Sequence, residues 1–537
     1  MTQRRLKLCG WGFEGDGLSS EEETGLLERV GTRFDLSSVE RRRPPEAVGL
    51  NLPRPRIEVP SALQTYCTTD ADERATHTYG KSFPDYVYIF EGKFDHAPDV
   101  VAYPSDENEI QAVLDWATDA RAAVIPFGGG TSVVGGVEPA VGDGYEGTIS
   151  LDLTRLDQVL EVDRTSRAAR IQGGIRVPAM EAALKPLGLT MRHFPQSFEM
   201  ATLGGMIATR SGGHFATLYT HIDDFVESLR MVTPKGVMES RRLPGSGAGP
   251  SPDRFMIGSE GSLGVITEAW MRLQDRPTFR ASVAVLFDDF YKAADAVRAV
   301  SQSGIYPSNL RLLDPGETQN NGFGDGRQSV LVLAFESADH PVEAWMARGL
   351  EICREFGGRY DEEAVRNPEG HRSGEAGAWR TAFIRMPYYR EVLMSVGVVA
   401  DTFETAITWD RFGAFHDAVK AATLRAIEEA TGQPGTVTCR FTHVYPDGPA
   451  PYFSFQGLGR AGALLEQWRH IKEQASDAVI EHGGTITHHH AVGRDHMPWY
   501  VRQRPELFGD ALQAAKKRLD PAGIMNPGVI LPVPDRQ

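Results

Sequence analysis

Five separated stretches of the chain carry residues whose types and spacing could do chemistry. In PFGGGTS, residues 126–132, the glycines Gly128, Gly129 and Gly130 lack Cβ atoms, so their peptide N–H groups can close on a pyrophosphate. Pro126 and Phe127 lead into that loop, and Thr131 and Ser132 add hydroxyl donors. In PQSFEMATLGG, residues 195–205, the candidates are Gln196, Ser197, Phe198, Glu199, Met200, Ala201 and Thr202, followed closely by Thr209, Arg210, Ser211 and Gly212. GSEGSLGVIT, residues 258–267, sets Glu260, Gly261, Ser262, Leu263 and Gly264 before Val265 and Ile266, a β-branched pair able to flank an adenine. Tyr452 in PYFSF and the run His488, His489, His490 offer groups that move protons. Arg311 and Arg385 offer forked donors for a phosphate dianion.

Each of these has a plainer reading. A lone GGG is usually a turn, and it is not the GxGxxG of a Rossmann unit. A tyrosine in a strand is usually core, and arginines in LRL or FIR patterns usually end in surface ion pairs. A metal site competes for the histidine run, but adjacent side chains on a strand point to opposite faces, so no metal is expected there.

The elements that must hold these residues can be read in outline. Order begins near Asp99 with a strand in VVAYP, and Ser105-Asp106-Glu107 starts a helix whose Ile110, Val113, Leu114 and Ala117 form one apolar face. AAVIPFG is the next strand and delivers the glycine loop. TISLDLT, VLEVD and AARIQGG read as further strands, 177–187 as a helix, and MVTPKGVMES as a hairpin. Beyond about residue 275, SVAVLF, NLRLLD and SVLVLAF alternate with helices near 291–303 and 343–356, which predicts a second lobe with a mostly antiparallel sheet. The Pro- and Arg-rich first 94 residues read as an N-terminal arm with a helical segment. Residues 95–275 read as a cofactor-binding domain, 276–505 as a cap over the substrate, and 506–537 as a segment packing back on the first lobe.

Composition excludes several classes. A net charge of −16 argues against a nucleic-acid surface, which needs a basic face, so an anionic substrate must be met by a local arginine cluster. Four cysteines without a CxxC pair argue against a zinc knuckle or a disulfide framework and suit a reducing cytoplasm. The first residues lack the apolar run of a secretory signal, and no stretch is apolar enough to span a bilayer, so contact with lipid is expected to be peripheral.

Taken together, the three glycine-containing stretches resemble the FAD-binding domain of the vanillyl-alcohol-oxidase superfamily. That resemblance implies an α+β, two-lobed flavoprotein of the vanillyl-alcohol-oxidase type, with an FAD-binding domain and a cap domain built on an antiparallel sheet. Relatives that attach FAD covalently from the first loop carry histidine where this chain has Thr131, so non-covalent FAD is implied.

The second half narrows the family. IYPSNLRLLD, TAFIRMPYYR, DTFETAITWDR, TCRFTHVYPDGPAPYFSF and GGTITHHHAVG resemble, in order, segments of the alkyldihydroxyacetonephosphate synthase (alkylglycerone-phosphate synthase) family, which makes the ether bond of ether lipids. The resemblance implies Tyr452 as active-site acid/base, Arg385 and Arg311 as substrate arginines, and His488, His489 and His490 as the family's catalytic triplet. YFSF replaces YFYF, and Ala491 stands where glycine is usual, so chain-length preferences are left open.

The implied reaction is a redox-neutral transferase step: the acyl group of acyl-dihydroxyacetone phosphate leaves as a fatty acid and a fatty alcohol takes its place, with FAD as a covalent handle. A homodimer with lipid-like substrates is the expected assembly. The competing class is an FAD oxidase or dehydrogenase of a 2-hydroxy acid such as D-lactate or glycolate. Those relatives carry HxGDGNxH and GEHG-like ligand sets, whereas this chain has HVYPDGPAPYF and HHH, which favours the transferase.

Overall fold

The strand Ala122–Phe127 delivers the glycine loop because its run AAVIPF is apolar on both faces and pairs in parallel with Gly147–Asp152, Val124 opposite Ile149. Val100–Ala102 pairs with the other edge of Gly147–Asp152, and Cys67–Thr68 closes the small sheet antiparallel. The intervening helix Glu107–Asp119 starts at Asp106, whose side chain accepts from the Glu109 N–H, and buries Ile110, Val113, Leu114 and Ala117 as their spacing predicts.

This computed structural model describes residues 4–35, 41–46, 49–215, 219–320, 326–362 and 375–533, the side chains of 375–384 excepted. A second sheet of the first lobe is antiparallel, in the order Val159–Asp163, Ala168–Gln172, Val265–Arg272, Val226–Thr233, Gly236–Glu239. The cap sheet has six strands, all antiparallel: Phe279–Phe287, Ser329–Ser337, Asn309–Leu313, Thr436–Val444, Pro449–Leu458 and Val398–Glu404. Its helices, among them Phe290–Gln302, Trp409–Thr431 and Leu464–Glu481, contribute to the largest hydrophobic core. The α+β, two-lobed architecture with an antiparallel cap sheet is the one the sequence predicts.

The N-terminal region is more than an arm. The described part of 41–60 carries no helix or strand, in line with its prolines. Phe83–Phe90, however, is capped by a reciprocal Ser82–Asp85 box and buried in the largest core, because FPDYVYIF is apolar nearly all round. The helix Ser20–Phe34 sets Leu26 and Val30 against Val392, Leu393, Val398 and Ala400. At the other terminus, Ile524 and Asn526 bond both peptide groups of Val124, so the tail adds itself to the edge of the parallel sheet. Among the described residues, no helix is long and apolar enough to cross a membrane.

Candidate active site

A cavity of about 390 Å3 runs between the glycine loop and the cap sheet. The whole of 126–132 lines it, with Gln196, Ser197, Ala201, Thr202, Thr209, Ser211 and Gly212 from the second stretch and Glu260, Gly261, Gly264, Val265 and Ile266 from the third. Phe198, Glu199, Met200, Arg210, Ser262 and Leu263 do not line it. Phe198 packs edge-on against Phe194, Glu199 accepts from the Tyr388 hydroxyl, and Arg210 pairs with Asp223. Met200, Ser262 and Leu263 are buried in protein.

The glycines are needed for a reason the linear pattern does not show. A Cβ at Gly129 would overlap the Met200 carbonyl oxygen, one at Gly128 the Thr202 hydroxyl, and one at Gly130 the Phe127 ring. The first two let the first two loops lie against each other, and Gly130 folds its own loop over Phe127 at φ +62°. This packing leaves buried peptide N–H groups at Gly129 and Gly130 that, among the described residues, donate to no protein acceptor. Buried donors of that kind need a partner, and pyrophosphate oxygens supply one. The cradle therefore fits FAD.

Glu260 joins this cradle to the segment after the histidine run: its carboxylate accepts from Val492 and Gly493 N–H, each at 2.8 Å. Burial raises its pKa to about 7 despite those two donors.

The opposite wall is built of side chains. Tyr452 is buried on Pro449–Leu458, its Cα partnered by Arg440 on one neighbouring strand and Glu404 on the other. The Arg440 guanidinium lies 3.9 Å over the Tyr452 ring and is also bonded to buried Glu317. The Tyr452 hydroxyl donates to Thr402 Oγ1 at 2.9 Å. Burial raises the phenol's pKa, while Arg440, the Thr402 hydrogen bond and Arg390 pull it back. Arg311, buried on Asn309–Leu313, lines the same space with one guanidinium nitrogen 3.1 Å from His214 Nδ1, and burial lowers its pKa to about 9.

The histidine run sits on a bend rather than a strand, so the alternation that argued against convergence does not apply. Fully buried Glu404 organises it: its carboxylate accepts the peptide N–H groups of His488, His489 and His490 and the Thr487 hydroxyl. Burial alone would raise the Glu404 pKa, but the three histidines, His489 foremost, hold it well below the usual carboxylate range. His489 and His490 line the cavity beside Tyr452, with ring centroids 6.1 and 5.3 Å from it, whereas His488 lies behind them. Burial lowers His490 to about 3 and takes His488 well below the ordinary histidine value. Ring nitrogens of His443, His488 and His489 lie within 4.8 Å of one another, a spacing that can also hold a metal ion.

Arg385 is the correction. It does not face the cavity: its guanidinium donates to both carboxylate oxygens of Glu22 and to the Gly17 carbonyl at the outer surface of the helix Glu375–Ser395. Five residues on, about 140° round the helix, Arg390 does face it and donates to Asp401 at 2.6 Å. Sequence reasoning missed Arg390, Arg440 and Glu404. All three lie within the motifs named above, and for Arg440 the signal was a single arginine in the strand-length run Thr436–Val444, which is buried nearly throughout and pairs Arg440 with Tyr452.

Comparison with known proteins agrees with this geometry. Residues 98–240 match the family described as FAD binding domain and 276–530 that of FAD linked oxidases, C-terminal domain. An alkyldihydroxyacetonephosphate synthase of Dictyostelium discoideum is 30% identical, over 86% of this chain and 77% of its own. A solved alkyldihydroxyacetonephosphate synthase superposes with a TM-score of 0.79 at 25% identity, covering 97% of this chain and 98% of that one. p-Cresol methylhydroxylase, solved with substrate bound, shares the fold at a TM-score of 0.68 and 14% identity, over 88% of this chain and 95% of its own.

Proposed function

This chain belongs to the alkyldihydroxyacetonephosphate synthase family, and from that membership we propose that it exchanges the acyl group of acyl-dihydroxyacetone phosphate for a fatty alcohol, with FAD as cofactor. The reading rests on one juxtaposition: the buried Tyr452 phenol, with the Arg440 cation over its ring, lines the same cavity as Gly129 and Gly130, whose N–H groups find no protein acceptor among the described residues.

Pro126–Ser132, Thr202 and the 260–266 loop would hold FAD, which when bound supplies an electron-poor ring able to take up and return an electron pair without net redox change. Tyr452 removes the proton from the carbon bearing the ester. A buried phenol resists ionisation, and Arg440 and Thr402 are the groups that favour its anion. Arg311 and Arg390 supply the positive field for the phosphate in an acidic protein. Leu26, Val30, Met386, Tyr389, Leu393 and Ala400 extend the same cavity as an apolar wall suited to alkyl chains. Lipid-like substrates of this kind reach the enzyme through peripheral contact with a membrane surface.

The test is anaerobic incubation with acyl-dihydroxyacetone phosphate and labelled fatty alcohol. Fatty acid and alkyl-dihydroxyacetone phosphate should form in equal amounts without any electron acceptor, and D-lactate or glycolate should not bleach the flavin. Bleaching by either acid with no alkyl-for-acyl exchange would sink the reading and make the protein an oxidoreductase.

A further inference from the structure

The proposed exchange releases a proton inside a buried site. The bond from the glycerone carbon to the ester oxygen breaks, the fatty carboxylate leaves with the bonding pair, and that carbon bonds to the oxygen of the alcohol. The alcohol's O–H proton is left over: ester plus alcohol gives ether, carboxylate and one proton, with no net oxidation. The acid/base group beside this chemistry, Tyr452, is only 5% exposed and hydrogen-bonds inward to Thr402.

A row of ring nitrogens leads away from that point. His489 lines the cavity with its ring stacked on Tyr452, at 27° between planes. Its Nδ1 lies 3.1 Å from His488 Nδ1. His488 is behind the cavity wall, and its other nitrogen, Nε2, is 2.7 Å from the Tyr445 hydroxyl and 3.2 Å from His221 Nε2. His221 is half-buried, lies off the cavity, and places Nδ1 3.1 Å from the carbonyl of the exposed Arg210. We propose that His489, His488 and His221, assisted by Tyr445, form a relay that carries the proton released by ether formation from the Tyr452 end of the cavity to solvent.

The relay rests on the functional reading above. An imidazole held by hydrogen bonds at both nitrogens can accept a proton on one and give up another from the second, so no proton need cross the ring. His488 is held in that way. Glu404 fixes the backbone of all three triplet histidines and stands 3.3 Å from His489 Nδ1, so a cation formed there meets a fixed negative charge. At the far end Asp223 and Asp224 offset Arg210 and Arg254, while His443 packs against both His488 and His489, at 4.9 and 5.2 Å between centroids. Burial lowers the pKa of both His488 and His221, which favours the neutral form that a proton acceptor needs.

The experiment replaces the outer member in the FAD-loaded enzyme: His221→Leu, with His221→Gln as a second variant that keeps a polar side chain next to the Arg210 carbonyl. Flavin absorbance reports folding. Turnover should fall about tenfold, less than for a group that itself deprotonates carbon. KM should be unchanged, the solvent deuterium isotope effect should rise, and added imidazole should restore the rate in both variants. Wild-type turnover in either variant, or a loss that imidazole does not recover, overturns the relay. One equivalent of divalent metal in the purified holoenzyme also overturns it, because coordinated nitrogens of His488 and His489 cannot pass protons. A wild-type protein that forms no ether removes the functional reading and the relay together.

Discussion

The two ends of the cavity are built on opposite principles. The glycine cradle presents peptide N–H groups, and at Gly128, Gly129 and Gly130 an added Cβ would meet Thr202, Met200 and Phe127. The tyrosine wall works through side chains whose charge states are set by neighbours drawn from several elements: Arg440 and Glu404 on the flanking strands, Arg390 on a helix, and the histidine run on a bend. A backbone site fails when its packing fails. A side-chain site can lose its chemistry while the fold stands.

Tyr452→Phe should separate the two ends most sharply. It keeps the ring under Arg440 and removes only the hydroxyl, so flavin content and melting temperature should stay close to wild type while turnover falls about 10²–10⁴-fold. Turnover within tenfold of wild type would show that another group takes the proton.

Gly129→Ala is the converse experiment, and its damage should be structural. The added methyl meets the backbone carbonyl of Met200, which cannot swing aside, so a cost of about 3 kcal/mol and loss of bound flavin are expected. Flavin retention at the wild-type level, read from absorbance after gel filtration, would mean that the two loops are not in register as described.

A smaller effect tests the bridge between the two ends. The Glu260 pKa is raised from 4.5 to about 7 in the folded protein, so its contribution to stability is fully present below pH 4.5 and is lost as pH rises through 7. The melting temperature of Glu260→Gln relative to wild type should therefore climb across that window, by the equivalent of at most about 3 kcal/mol. A difference independent of pH would place the proton elsewhere.

The smallest change is expected at Arg385. Its pairing with Glu22 is partly solvent-exposed and contributes on the order of 1 kcal/mol or less. Arg385→Met should leave turnover within about twofold, while Arg390→Met, five residues away and bonded to buried Asp401, should lower it much further. Equal losses in a steady-state assay would return Arg385 to the substrate site.

Local order was legible in the chain wherever a short-range rule governs it. The helix Glu107–Asp119 follows from an Asp cap and one apolar face, the cap strands from apolar runs of strand length, and the glycine loop from a triple glycine at a strand end. Tyr452 and the histidine run were visible as chemistry, though not as neighbours. A helical segment was expected within the first 94 residues, but the burial of Phe83–Phe90 was not legible, because its apolar surface is covered only by the distant cap core.

The sequence by itself thus determined which backbone groups could be left bare and which side chains could carry protons, because residue type and periodicity act over a few positions. Only the tertiary structure decided which arginine enters the cavity and that Glu404 gathers the histidines. It also decided that His221 stands at the end of their row. Those choices depend on helix rotation, strand partnership and contacts across hundreds of residues of chain, 267 between His221 and His488 and 363 between Arg385 and Glu22, which no local spacing encodes.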